Sequence, residues 1–230
     1  MYLDILDTTL HSFWLTYHSI STPLLRKSLE REGYMMEQEL LNLVSARRGH
    51  FRLESGHHGD LWLDLDRLFV QPAILSPFTT ELGRRLAAHQ IDAVCGPLTG
   101  GAFVAQMIAA GLGVEFYYAE RLPHPEPNAL YAVEYRIPGL LRSSLDDKRI
   151  AIVDDAVNAA SAVRATLADL EDCGAQSVAM GALLLLGSHG LALAASLNIP
   201  LVMLAQLPSQ TWEPAACPLC VAGVPLEDLT

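Results

Sequence analysis

The sequence predicts an α/β fold built on a doubly wound parallel sheet, and three observations predict it. From about residue 76 to 187, short apolar runs alternate with helical patterns, which implies parallel strands joined by right-handed crossovers. The run Ile150 to Val153 is short and β-branched, as a strand covered on both faces is, and Val163, Leu167 and Leu170 then recur at helical spacing. The 230 residues are 51% hydrophobic, enough for one such domain with a sizeable core and a smaller appended part.

The elements follow in order. Leu3, Leu6 and Leu10 fall on one helical face until Pro23 interrupts the pattern, so residues 1 to about 34 read as a helical extension. Met35 and Met36 precede the segment Glu37 to Arg48, where a helix is expected, and the alternating strand Leu61 to Asp66 comes next. Strands are then expected at Ala93 to Cys95, Val114 to Tyr118, Ile150 to Val153 and Ser177 to Leu186. A helix at Leu191 to Leu197, a strand at Leu201 to Leu204 and a proline-rich tail close the chain.

Charge and composition exclude several function classes. A net charge of −11 with no basic stripe argues against a nucleic-acid or anionic-membrane surface. Apolar runs such as Val178 to Leu186 are too short to span a bilayer, and the start Met1 to Asp7 lacks the basic region of a signal peptide, so a cytoplasmic protein is expected. Cys95 and Cys173 read as small buried hydrophobes. Cys217-Pro-Leu-Cys220 has half the ligands of a zinc ribbon, but the chain has no second such pair, and a tight tail turn is the expectation.

The chemistry is concentrated in two strand-turn-helix segments. Asp154 and Asp155 end the Ile150 strand, and Asn158, Ala159, Ala160, Ser161 and Ala162 lead into the next helix. Open parallel sheets bind ligands at that edge, and small residues let the N–H groups of a helix start approach a phosphate. Two acids cannot hold a phosphate, but they can accept hydrogen bonds from neighbouring hydroxyls or face a divalent metal. The combination suggests ribose 5-phosphate. About 55 residues earlier, Asp92 to Ala105 form another strand, turn and helix, in which the amides of Thr99, Gly100 and Gly101, after Leu98, can receive a pyrophosphate.

The Asp154-Asp155 segment resembles the 5-phosphoribosyl diphosphate (PRPP) binding motif of type I phosphoribosyltransferases. Leu98 to Gly101 and the following Leu112 to Arg121 resemble the corresponding loop and strand of orotate phosphoribosyltransferases. Gly49 to Asp64, with its Phe-x-Leu-x-Ser-Gly turn, resembles the hood that lies over the base in that family, and Trp212 to Pro225 resembles the tail of some bacterial members. The resemblance implies a doubly wound sheet with a small hood, to which the apolar spacing of the first residues adds an N-terminal helical extension. It divides the chain into an extension (1–36), a hood (37–75), a core (76–205) and a tail (206–230). It further implies transfer of ribose 5-phosphate from PRPP to a nitrogenous base, Mg2+ carried by PRPP and in reach of Asp154 and Asp155, and a homodimer. Asp154, Asp155 and Arg121 are then the catalytic candidates, and Glu54, Trp62, Leu63 and His189 the base-side candidates.

Departures from the family pattern concern the chemistry. Ala160 replaces a glycine, Glu54 stands where a lysine is usual, and Gly187-Ser-His-Gly190 replaces an Asp-Arg pair that faces orotate. The stretch Arg121 to Tyr131 contains no lysine, and Lys27 and Lys148 are the only lysines in the chain. Arg121 and His124 are the remaining cations for pyrophosphate, and Arg52 or Arg67 for an acidic base. His57 and His58 divide evenly between solvent exposure and ligand contact, and Trp62 is expected in core packing slightly ahead of base stacking. The rival reading is a non-catalytic relative that senses PRPP or a nucleotide, and a third is a scaffold that binds neither.

Overall fold

The computed structural model describes residues 23–122, 130 and 133–229. Residues 1–22 of the expected extension, with Leu3, Leu6 and Leu10, and most of the loop after Arg121, with His124, therefore lie outside the described residues. Helix α1 (Pro23–Leu43) runs through position 36 and buries Leu40 completely. It ends before β1 (Ser45–Arg52), so Ser45 to Arg48, expected to be helical, are strand. The reason is tertiary. Ser45 and Arg47 pair with Asp64 and Trp62 of β2 (His58–Asp64), and this pairing overrides a locally helix-compatible sequence. Strand β2 also starts earlier and ends earlier than the expected Leu61 to Asp66, because Asp66 opens α2 (Asp66–Val70).

Helix α3 (Pro72–Leu86) buries Leu75, Phe78, Leu82 and Leu86, a stripe at helical spacing. The main sheet follows: β3 (Ala93–Pro97), β4 (Glu115–Leu122), β5 (Glu134–Arg136), β6 (Arg149–Val157), β7 (Gln176–Leu186) and β8 (Leu201–Leu207). Their order is β5-β4-β3-β6-β7-β8, parallel throughout except for the edge strand β5, which runs antiparallel to β4. The expected strands are all present, several of them longer than their apolar cores.

Both faces of the sheet are covered, and the alternation along β6 shows how. Ile150 and Ile152 join one core cluster with Val163, Leu167 and Leu170 of α6 (Ser161–Asp172). Ala151 and Val153 join the other, with Leu82 and Leu86 of α3 and Val104 and Ile108 of α4 (Gly100–Leu112). A period of two sends successive side chains to opposite faces, so a strand buried twice must be apolar at every position. Short α5 (Gly139–Arg142) and α7 (His189–Leu197) complete the layers.

A second sheet of order β10-β1-β2-β9 unites residues from both ends of the chain. Strand β9 (Thr211–Trp212) pairs with β2 and β10 (Glu227–Asp228) with β1, the turn α8 (Pro218–Val221) lying between them. Hood and tail, separate in the sequence, are one sheet here. In the main sheet, the chain leaves β3 toward β4 and returns to pair β6 on β3's other side, Ala93 opposite Ile150 and Cys95 opposite Ile152. Such a reversal of direction opens a crevice beyond the carboxyl ends of the two strands.

Candidate functional site

The two chemical segments of the sequence meet at that reversal. Asp154 is buried near the end of β6 and Asp155 half-buried. The Asp155 N–H donates to Asp154 Oδ1 at 3.0 Å, and the Ala156 N–H donates to Asp155 Oδ1 at 2.8 Å. The turn after β3 presses directly on this pair. A Cβ at Gly101 would stand 2.6 Å from Asp154 Oδ1, and one at Gly100 would collide with the Asp155 carboxylate. Only residues without a side chain let the Leu98 to Gly101 turn approach the acids so closely.

Electrostatically the pair is uncomfortable. Burial pushes the Asp154 carboxyl well above the usual carboxylate range, and the neighbouring Asp155 charge adds to this; burial also raises Asp155. Among the described residues neither acid has a cationic ion-pair partner. A ligand that brings hydroxyl donors or a divalent cation relieves that penalty.

Next to the acids, the turn into α6 has the form of an anion cradle. Ala160 caps the helix in the left-handed region at φ 59° and ψ 24°, and no side chain caps the first-turn N–H groups. Alanine tolerates that backbone at a cost of about 1–2 kcal/mol, where glycine has none. Its methyl is 5% exposed and sits in the first core cluster, so a larger residue at 160 would disturb the core before it reached a ligand. Asn158 carries a buried side-chain oxygen with no hydrogen-bond partner. Since amide O and N are interchangeable by a flip, this is a position from which an NH2 can donate to a bound anion.

Arg121 and Glu54, read separately in the sequence, are brought together. Arg121 Nε lies 3.0 Å from Glu54 Oε1, the Tyr135 hydroxyl donates to the same oxygen at 3.1 Å, and it also lies 3.4 Å from the Leu98 carbonyl. The hood turn, β4 and β5 thus meet at one carboxylate, and the Tyr135 hydroxyl ties them to the turn after β3. Burial, with help from the Glu54 charge, raises the Tyr135 hydroxyl far above its ordinary pKa, so it is a permanent donor. Sequence reasoning missed Tyr135, whose only signal was its place where the chain returns from the loop beyond Arg121. Lys148 immediately precedes β6, at the opposite end from the acids, and pairs with Glu115 at 3.0 Å.

On the base side, His189 begins α7 with its Nδ1 3.3 Å from Thr211 Oγ1, and its ring centroid lies 6.2 Å from that of His57. His57 is buried, its Nδ1 3.1 Å from Ser55 Oγ, and its pKa is lowered by burial and then by His189. Trp62 packs on Phe51 at 6.1 Å and Leu63 against the second core cluster. Arg67 and Arg52 reach Asp64 and Asp228 at 3.7 and 3.6 Å in exposed ion pairs. Cys217 and Cys220 do form the expected tail turn, but it docks beside His50 and His58, an association no cysteine count reveals.

Comparison with known proteins places the chain in a family. A phosphoribosyl transferase domain matches residues 79–205. The orotate phosphoribosyltransferase of Caldanaerobacter subterraneus is 27% identical over 201 residues, covering 86% of this chain and 96% of that one. That of Thermotoga maritima is 26% identical over 206 residues, covering 89% and 96%. Among solved structures, an adenine phosphoribosyltransferase from Trypanosoma brucei superposes with a TM-score of 0.60 at 18% identity over 74% of this chain and 79% of that one. An orotate phosphoribosyltransferase from Aeropyrum pernix does so with 0.55 at 22% over 76% and 93%. The matched domain spans more than half of the chain and carries both loops at the strand reversal, and the protein belongs to the phosphoribosyltransferase family, in its type I fold.

Proposed function

We propose that this protein transfers ribose 5-phosphate from PRPP to a nitrogenous base, with orotate as the first acceptor to test and a base pocket different from the usual orotate pocket. The observation that carries this reading is the contact of the Gly100-Gly101 turn with the Asp154-Asp155 pair, beside the uncapped start of α6. In this reading the Asn158 to Ala162 turn holds the 5-phosphate, and the Leu98 to Gly101 amides hold the pyrophosphate. Asp154 and Asp155 accept hydrogen bonds from the ribose hydroxyls. The two unpaired acids suit a substrate that carries Mg2+, which when bound would neutralise charge on the pyrophosphate.

The work of the chain's own residues follows from charge. As pyrophosphate leaves, positive charge develops on the ribose and negative charge on the leaving group. The acids face the first, and the turn amides and Arg121 the second. Arg121 must exchange Glu54 for pyrophosphate to do so. His57, His189 and Thr211 supply donors and acceptors at the base. Their lack of fixed charge is what sets this pocket apart from one built for a carboxylate. The proposal includes a homodimer and a cytoplasmic setting; no described helix is long and apolar enough to cross a membrane.

A sensor that binds PRPP without turning it over is the second reading, favoured by the engagement of Arg121 with Glu54. Pyrophosphate release from Mg2+-PRPP with orotate, uracil, adenine, guanine or hypoxanthine separates the two. Release with one base supports the transferase. A raised melting temperature with PRPP but no release supports the sensor, and neither effect leaves a scaffold. In a transferase, Arg121→Ala lowers turnover at least about tenfold while PRPP affinity falls less, because its contact strengthens as the leaving group gains charge.

A further inference from the structure

Away from the strand reversal, four metal-binding side chains from three distant segments converge. His50 lies on β1, His58 on β2, Cys217 caps the turn α8 and Cys220 lies within it. Their ligand atoms all fall within 4.8 Å of one another. His50 Nε2 is 3.0 Å from His58 Nδ1, 3.4 Å from Cys217 Sγ and 3.7 Å from Cys220 Sγ, and Cys220 Sγ is 3.3 Å from His58 Nδ1. A tetrahedron with zinc bonds of about 2.0–2.1 Å to nitrogen and 2.3 Å to sulfur has edges of about 3.3–3.8 Å. Those four of the six separations match the edges to within a few tenths of an ångström, and all six are within 4.8 Å.

The surroundings support a metal more than a chance meeting of polar groups. His50 Nδ1 lies 2.9 Å from the Val224 carbonyl, so its N–H donates there and Nε2 is left with its lone pair toward the other three groups. Metal-bound histidines are held by such an outer hydrogen bond. His50 and Cys217 are each 1% exposed and His58 6%, while Cys220 is exposed and leaves a path for entry. Two sulfurs and two imidazoles in a closed tetrahedron select Zn2+ over Mg2+ or Ca2+, and leave no position for substrate.

The geometry points to a structural Zn2+ site, formed by His50, His58, Cys217 and Cys220, that clips the tail onto the hood. Strands β9 and β10 are two residues long each and flank the cysteines, too short to hold the tail by their ladders alone. Tethering residues near 50 to residues near 220 closes a very long loop, where a cross-link restricts the unfolded chain most. The clip also anchors β2 immediately after the turn that carries Ser55 and His57.

The test uses the full chain. Elemental analysis after purification in reducing buffer is expected to find one Zn2+ per chain, and replacement by Co2+ to give the visible spectrum of a tetrahedral ion with thiolate ligands. Chelation is expected to lower the melting temperature by at least about 5 °C, with recovery on adding Zn2+ but not Mg2+. Cys220→Ser, at an exposed position, is expected to weaken Zn2+ binding at least tenfold in a folded chain. The proposal is overturned if the parent chain takes up no Zn2+ or Co2+ and melts identically with and without chelator. Retention of Zn2+ by Cys220→Ser at the parent's affinity overturns it too, since the ion would then sit elsewhere.

Discussion

Replacing Glu54 by glutamine tests whether a hood carboxylate restrains Arg121, the cation proposed to meet pyrophosphate. The glutamine keeps an oxygen for the Tyr135 hydroxyl and removes only the charge. Arg121 and Glu54 meet at 3.0 Å with side chains 55% and 32% exposed. Coulomb's law gives that contact about 1.4 kcal/mol in water. Side-chain entropy and solvent reduce such exposed pairs to roughly 0.2–1 kcal/mol. A ligand that takes Arg121 from Glu54 gives up at most that amount, so Glu54→Gln should tighten Mg2+-PRPP binding by up to about fivefold. Calorimetry at low and high salt is the assay. Because the restraint is electrostatic, the gain should shrink as salt rises. Unchanged or weaker binding by a folded Glu54→Gln protein, at low salt, would refute the argument.

Three further outcomes are expected. Changing Asp154 and Asp155 together to asparagine should weaken Mg2+-PRPP binding at least tenfold, about 1.4 kcal/mol, and calorimetry showing parental affinity would remove the acids from the site. Their folded pKa values lie above the ordinary ones, so between the two the folded state holds more protons and stability falls as pH rises. Melting curves of the double variant should lack that fall and lie higher at neutral pH. Ala160→Gly trades about 1–2 kcal/mol of left-handed strain against a buried methyl of about 0.8 kcal/mol and about 0.4–1 kcal/mol of unfolded-chain entropy. Urea unfolding should therefore shift by less than about 1 kcal/mol, and a loss above about 2 kcal/mol would mean that methyl packing dominates. Asp169 accepts the Ile137 N–H at 2.7 Å and Arg142 Nη1 at 2.6 and 2.7 Å. Asp169→Ala leaves both donors unmet at a cost of about 3 kcal/mol, a drop of roughly 6–12 °C in melting temperature; a drop under about 2 °C would contradict this.

The doubly wound sheet was legible because its determinants are local. A strand buried on both faces must be apolar without interruption, as Ile150 to Val153 are, and the helices beside it must carry stripes such as Val163, Leu167 and Leu170. The placement of the Asp154-Asp155 edge and of the glycine turn at strand ends was legible for the same reason, each being one contiguous strand-turn-helix segment. Strand β1 was not, because Ser45 to Arg48 carry no alternating pattern and become strand only through pairing with β2.

What only the tertiary structure decided are relations between segments far apart in sequence. The order β4-β3-β6 brings Gly100 and Gly101 against two acids more than fifty residues away. It also puts Arg121 on Glu54, and His50 and His58 beside Cys217 and Cys220. Side-chain periodicity reports which way a residue faces on its own element, over a few residues. It carries no information about which distant element it meets, since that is set by strand order and register, which are fixed by packing of the whole chain.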